Sequence, residues 1–252
     1  MEFNLPKSWN DITLYQYLEL EEIKKITYNN SVDETLELFS ILLNTTPDDP
    51  IFDEIEIEEV WSELDKRIWL KDNIQSASSK IINQFTLKNF NNILLGEFID
   101  IEHHIDSGDV FKIIPILYKQ TKVDDWGNTI EEPYIYSFEE RWEIFLDISI
   151  PKIVGVVNEY LDWRKNFLNS YENLFLKNDD LAIDEENETE LTGRAKIDAE
   201  IETLNNTKKS KWSWESILLG LSGNDVTKFE ALFGTSLILV FNTLSAKHVL
   251  EI

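Results

Sequence analysis

Cysteine is missing from this 252-residue chain, so neither a disulfide framework nor a thiolate metal site is open to it, and a disulfide-stapled secreted mini-scaffold is excluded. Glycine is scarce at 8 residues. Neither Gly-x-x-x-x-Gly-Lys nor Gly-x-Gly-x-x-Gly occurs, so the usual backbone cradles for nucleotide phosphates are lacking. Gly-x-Ser-x-Gly is also absent, and Leu221-Ser222-Gly223 reads as a helix end, not as a nucleophile elbow. Only 3 histidines are present, and no His-Glu-x-x-His pair forms among them. Positive charge is the scarcest resource: Lys and Arg total 23 against 48 Asp and Glu, a net charge of -25. Such a chain repels phosphate backbones and anionic lipid, and no local basic patch offsets this, so neither nucleic acid nor a membrane is an expected partner. A basic or amphipathic protein suits an acidic surface better. Long apolar runs are lacking too; Leu237 to Phe241 is far too short to span a bilayer. The opening MEFNLPKSWND has no basic segment followed by an apolar run, so no signal peptide is expected and a cytoplasmic protein is the default.

What is present is apolar mass. Hydrophobic residues make up 42% of the chain, with 8 Trp and 14 Phe, enough for a folded protein of one domain, or of one domain and a smaller module. The densest stretch runs from Phe90 to Gln120. Leu94, Leu95, Phe98, Ile101 and Ile105 recur at three- and four-residue steps and form one stripe on a helix, with Glu97, Asp100, Glu102 and His103 largely outside it. Ser107-Gly108-Asp109 breaks the pattern. Val110, Phe111, Ile113, Ile114, Leu117 and Tyr118 then form a segment apolar on more than one side, which Pro115 is expected to kink or cut short.

Around this core the spacing predicts further helices. Thr13 to Gln16 fits a capping box opening a helix to about Thr27, and Ser31 to Glu34 fits a second that turns Leu36, Phe39, Leu42 and Leu43 inward. Pro47 and Pro50 stop that helix. Ile55 to Leu70 reads as helical, with Val60, Trp61, Leu64 and Ile68 on one side. Ser76 to Ser79 is a break, and Ile81 to Leu87 reads either as a strand or as a buried extended segment. Residues 121 to 137, with Asp125-Trp126-Gly127-Asn128 at the turn, read as a protruding β-hairpin whose second strand Pro133 confines to an edge. Ser137 to Glu140 fits a third capping box, and Pro151 suits the first turn of a helix reaching about Leu176.

Residues 178 to 211 are acidic, lack aromatics and turn basic only at Lys208, Lys209 and Lys211, which predicts a flexible linker with a transient helix. Residues 212 to 252 form a small helical module, too short to support its own core, which should dock on the main body, a sister chain or a client. The expected fold class is therefore mainly α: a bundle-like domain over 1 to 177 with a small hairpin, an acidic linker, and a C-terminal helical module.

Chemistry is thin. Asp100, His103 and His104 lie three and four apart, so one helical face can present a carboxylate and an imidazole to a metal. A di-metal site needs several such helices, and His248 lacks a Glu-x-x-His partner, so surface or capping histidines are expected. Adjacent acid pairs such as Glu139-Glu140 point apart on a helix and read as solvated faces. No enzyme activity, metal or cofactor is expected. Trp212 and Trp214 cannot share a helical face, which directs one inward and the other to a neighbour, and exposed Trp residues often anchor interfaces. With Trp126 on the hairpin tip and Leu218, Phe229 and Phe233 in the C-terminal module, they form the expected partner-binding set.

The order of LGEFIDIE at 95 to 102, a short break, KIIPILYK at 112 to 119, then a loop and a helix opening near an Arg resembles the tail assembly chaperones and related tail proteins of tailed bacteriophages. The opening LPKSWNDITLYQYLEL and the late WSWESILLGLSGNDVTKFEALF and NTLSAK resemble corresponding parts of those proteins, so the likeness is scattered over most of the chain. Pro115 departs from the family pattern. The resemblance implies a non-catalytic protein that binds the tape-measure protein, the tail tube protein or both in the host cytoplasm during virion assembly, alone or as a homo-oligomer. The family often makes a short form and a frameshifted long form, and residues 178 to 252 would fit the extension of a long form. The alternative it implies is a structural protein retained in the virion as internal cargo or a connector.

Overall fold

The computed structural model describes residues 4–28, 30–123, 126–171, 174, 197, 199 and 214–249. Helix α1 (Leu14–Ile23) opens with the expected box: Thr13 Oγ1 accepts from the Gln16 N–H at 3.2 Å, and Gln16 Oε1 accepts from the Thr13 N–H at 3.1 Å. Helix α2 (Ser31–Leu43) starts one residue early, because Asn30 takes the cap in place of Ser31 and its Oδ1 accepts from the Asp33 N–H at 2.8 Å. Gln16 Nε2 donates to Ile41 O at 2.9 Å, which sets the start of α1 against the end of α2. Helix α3 (Ile57–Asp65) is shorter than the pattern predicts, and Ile68–Lys71 forms a separate 3-10 turn. The break lies at Arg67 (φ -99, ψ 51), whose guanidinium folds back onto Glu63 O at 3.0 Å and reaches Pro6 O at 3.2 Å. Satisfying a free terminal carbonyl in this way ends the helix.

Ile81 to Leu87 resolves as strands β1 (Ile81–Ile82) and β2 (Phe85–Leu87), joined by a turn with Asn83 at φ 51. Helix α4 (Leu95–Asp106) buries Leu95, Phe98, Ile101 and Ile105 as its spacing predicts. Glu97 and Glu102, expected outside the stripe, are also buried. Each has a cation to meet it: Lys88 for Glu97, and for Glu102 the fork of Arg164, with both N–O distances at 2.6 Å. Pro115 does cut the next segment, into a 3-10 turn at Val110–Ile113 and helix α5 (Ile114–Leu117), where it sits in the first turn and no internal bond is lost.

Strands β3 (Tyr118–Val123) and β4 (Thr129–Glu132) form the predicted hairpin, and β2 pairs with β3 to give one antiparallel sheet in the order β1-β2-β3-β4. Strand β4 is an edge and stops immediately before Pro133. Helix α6 (Phe138–Leu146) lacks the expected box: Ser137 Oγ accepts from Arg141 Nε at 2.8 Å in place of a backbone N–H. Helix α7 (Ile150–Asn169) carries Pro151 in its first turn and ends short of Leu176, where Ser170 Oγ donates back to Asn166 O at 2.9 Å. The break at 76 to 79 is an extended strap across α7. The Ala77 N–H donates to Pro151 O at 2.9 Å and Ser78 Oγ to Glu159 at 2.6 Å, and at Gly155 the strap backbone comes so close that an added Cβ would meet Ser78 N at 2.5 Å.

Helices α8 (Trp214–Ser222), α9 (Phe229–Phe233) and α10 (Leu237–Val249) follow and are the last elements of the described residues. Leu218, Leu237, Val240 and Phe241 join the same hydrophobic cluster as α4 and α7. Phe241 packs edge-on against Phe98, Phe167 and Tyr171, and the Leu95 N–H donates to Thr235 O at 2.9 Å while the Leu237 N–H donates to Ile93 O at 3.0 Å. The expected linker at 178 to 211 lies outside the described residues except for Ile197 and Ala199, and Ile197 is fully buried in the core. The chain is mainly α with a small antiparallel sheet, and among the described residues no helix is long and apolar enough to cross a membrane.

Candidate functional site

The β3–β4 hairpin is held at its base by two cations that a solvated hairpin would not carry. Arg141, from α6, is 1% exposed and donates to Glu132 O at 2.7 Å, Tyr118 O at 3.0 Å and Pro115 O at 3.4 Å, with its guanidinium 5.7 Å from the Phe85 ring centroid. Burial pushes its pKa below the ordinary arginine value, opposed by the carboxylates of Glu132, Glu131 and Glu97. Lys88, just after β2, reaches Glu97 and also Glu131 of β4 at 2.9 Å, while Glu97 Oε2 accepts from the Leu94 N–H at 3.1 Å. One buried carboxylate thus caps α4 and fixes the lysine that grips the edge strand. From this base the hairpin carries Trp126, 85% exposed, beside a turn in which Gly127 takes φ 83.

At the hairpin's foot, where the 3-10 turn Tyr134–Tyr136 passes between α4 and α6, lies a cleft of about 160 Å³ lined by Asp100, His103, His104, Ile116, Tyr134, Ile135 and Phe138. The Tyr134 hydroxyl donates to Asp100 Oδ2. His104 stacks on Phe138 with centroids 5.8 Å apart and planes 10° from parallel. Burial, then the neighbouring His103 and Lys112, lowers the His104 pKa below its ordinary 6.5. Burial and the Asp100 bond raise the Tyr134 pKa far above its ordinary value, so its hydroxyl stays a neutral hydrogen-bond donor. The Asp100–His103–His104 group singled out by spacing therefore does share one cleft. Among the described residues, however, no three His, Asp or Glu side chains converge as a metal ligand set would.

The partner-binding set is divided among elements. Trp126 stands on the hairpin, Trp212 is outside the described residues, and Trp214 opens α8. Leu218 is 5% exposed and belongs to the chain's own core, so it offers no surface to a partner. Phe229 and Phe233 do come together, centroids 6.3 Å apart, with Phe233 half-exposed and its Cβ 3.0 Å from where a side chain on Gly96 would begin. Tyr134, Ile135 and Phe138, which complete the cleft, were missed by spacing arguments. The one available signal was an aromatic-rich YIYSF placed directly after Pro133. No protein-family model, curated protein or solved structure matches this chain.

Proposed function

We propose that this protein is a tail assembly chaperone of a tailed bacteriophage, a non-catalytic holder that binds the tape-measure protein, the tail tube protein or both while the virion is built. The observation that supports the reading best is the anchored hairpin presenting Trp126, 85% exposed, on a chain of net charge -25. A large ring on a braced arm covers an apolar stripe of a client, and the acidic body keeps the complex soluble and attracts client Lys and Arg.

Co-expression with the tape-measure protein of the same tail tests the reading. The expected result is a stable complex and a gain in client solubility, with Trp126→Ala weakening capture about tenfold or more, as loss of an interface anchor does. Absence of a complex with either tail client sinks the proposal. Stoichiometric amounts of the chain in purified particles, measured by mass spectrometry, would assign it instead to the virion structure.

A further inference from the structure

The cleft at the hairpin's foot is sized for one side chain. At about 160 Å³ it falls below the roughly 300–1,000 Å³ typical of cofactor and small-molecule pockets. Its walls combine three kinds of surface: aliphatic at Ile116 and at Ile135, which is 67% exposed; aromatic at Tyr134 and Phe138; and anionic at Asp100, exposed on the rim. Tyr134 occupies Asp100 Oδ2, while among the described residues no group donates to Oδ1. An acceptor oxygen beside aromatic planes and methyl groups suits a flat, weakly hydrated cation on a hydrocarbon stem. That description fits guanidinium better than ammonium, which is compact and strongly hydrated. Lys112, whose charge reaches His104 in the cleft wall, is itself held 3.5 Å from Asp109, and the chain's net charge of -25 favours approach of a basic partner.

We propose that this cleft receives an arginine side chain of a protein partner, its methylenes against Ile116 and Ile135, its guanidinium against the Tyr134 and Phe138 rings, and one N–H on Asp100 Oδ1. This rests on the reading of the chain as a protein-binding protein and specifies the chemistry of one contact. The occupant is a basic segment, and the arginine is the residue that the partner cannot replace by lysine without loss.

The test uses the full chain, isotopically labelled, titrated by NMR with N-acetyl-arginine amide, and no client protein. Saturable shifts confined to the amides around Asp100, His103, Tyr134 and Phe138 are expected, with N-acetyl-citrulline amide binding at least tenfold more weakly and N-acetyl-lysine amide in between. Asp100→Asn, which keeps an acceptor for Tyr134, should lose about the same tenfold for arginine while leaving the rest of the spectrum unchanged. Should that variant unfold, Ile135→Ala provides the second reading, with a weaker but still localised arginine response expected. Equal binding of citrulline, shifts spread over the acidic surface, or no saturable response overturns the proposal. So does self-association of the chain that arginine amide dissolves, because the occupant would then be a second copy. Failure of client co-expression leaves the titration result standing, and failure of the titration removes the cleft contact alone.

Discussion

At Arg141 a guanidinium in the core donates to three backbone carbonyls and to Ser137 Oγ. Methionine there would fill similar space and take the guanidinium's N–H groups away from those acceptors, of which the Pro115 and Tyr118 carbonyl contacts are buried. Arg141→Met is therefore expected to cost about 3 kcal/mol or more, read as a lower urea midpoint with an unchanged slope. Glu159 gives the pH counterpart. Burial pushes its carboxyl upward, but the bonds from Lys80 and Ser78 outweigh this and hold it below the ordinary 4.5. A carboxyl lowered on folding stabilises the folded state above its ordinary pKa and stops doing so as pH falls through the lowered one. The urea midpoints of wild type and Glu159→Gln should thus differ at neutral pH and converge as pH falls below 4.5 and through the lowered value, and a constant gap would refute the assignment. At this scale legibility followed locality. The Thr13–Gln16 box could be read because both partners lie within one turn. The box at Ser137 failed because Arg141 took the hydroxyl to serve carbonyls far along the chain, which no local pattern announces. Asn30 and Ser31 offered competing caps, and the sequence contains nothing that ranks them.

Among the elements, the strap over α7 was the least visible and is among the most exacting. Ser76 to Ser79 carries no apolar period and so reads as a break, yet Ser78, Ser79 and Ala77 are bonded in turn to Glu159, Tyr118 and Pro151. Gly155 permits the approach. In Gly155→Ala the new Cβ would lie 2.5 Å from Ser78 N and 2.6 Å from Ala77 C, both backbone atoms that cannot swing aside. Overpacking of about 1–3 kcal/mol outweighs the roughly 1 kcal/mol that alanine gains over glycine in a helix. The variant should be less stable, with faster hydrogen exchange at the Ala77 amide; a more stable variant would refute the close contact. Helices with strong stripes, such as α4, were legible because burial on one face sets their period, and the hairpin because its turn residues, Trp126-Gly127-Asn128, lie together in sequence. The buried status of Glu97 and Glu102 was not, since each depends on a cation from another element, and the same holds for the cleft completed by the turn after Pro133.

For the molecule as a whole, the surplus of 25 negative charges works against compaction. Exposed ion pairs such as Lys25–Glu22 offset little of it, being worth under about 1 kcal/mol each. Salt should therefore raise the melting temperature between about 0.01 and 1 M, where screening shortens from roughly 30 to 3 Å. A flat or falling trend would mean that the paired charges dominate.

The bonds from Leu95 to Thr235 and from Leu237 to Ile93 impose an order in time. Elongating at roughly 5–20 residues per second, a ribosome completes the middle of this polypeptide many seconds before releasing the piece that seals it. Throughout that interval Phe98 can meet Phe167 of α7 but not Phe241, so the face that α10 covers stays open to water until that helix arrives.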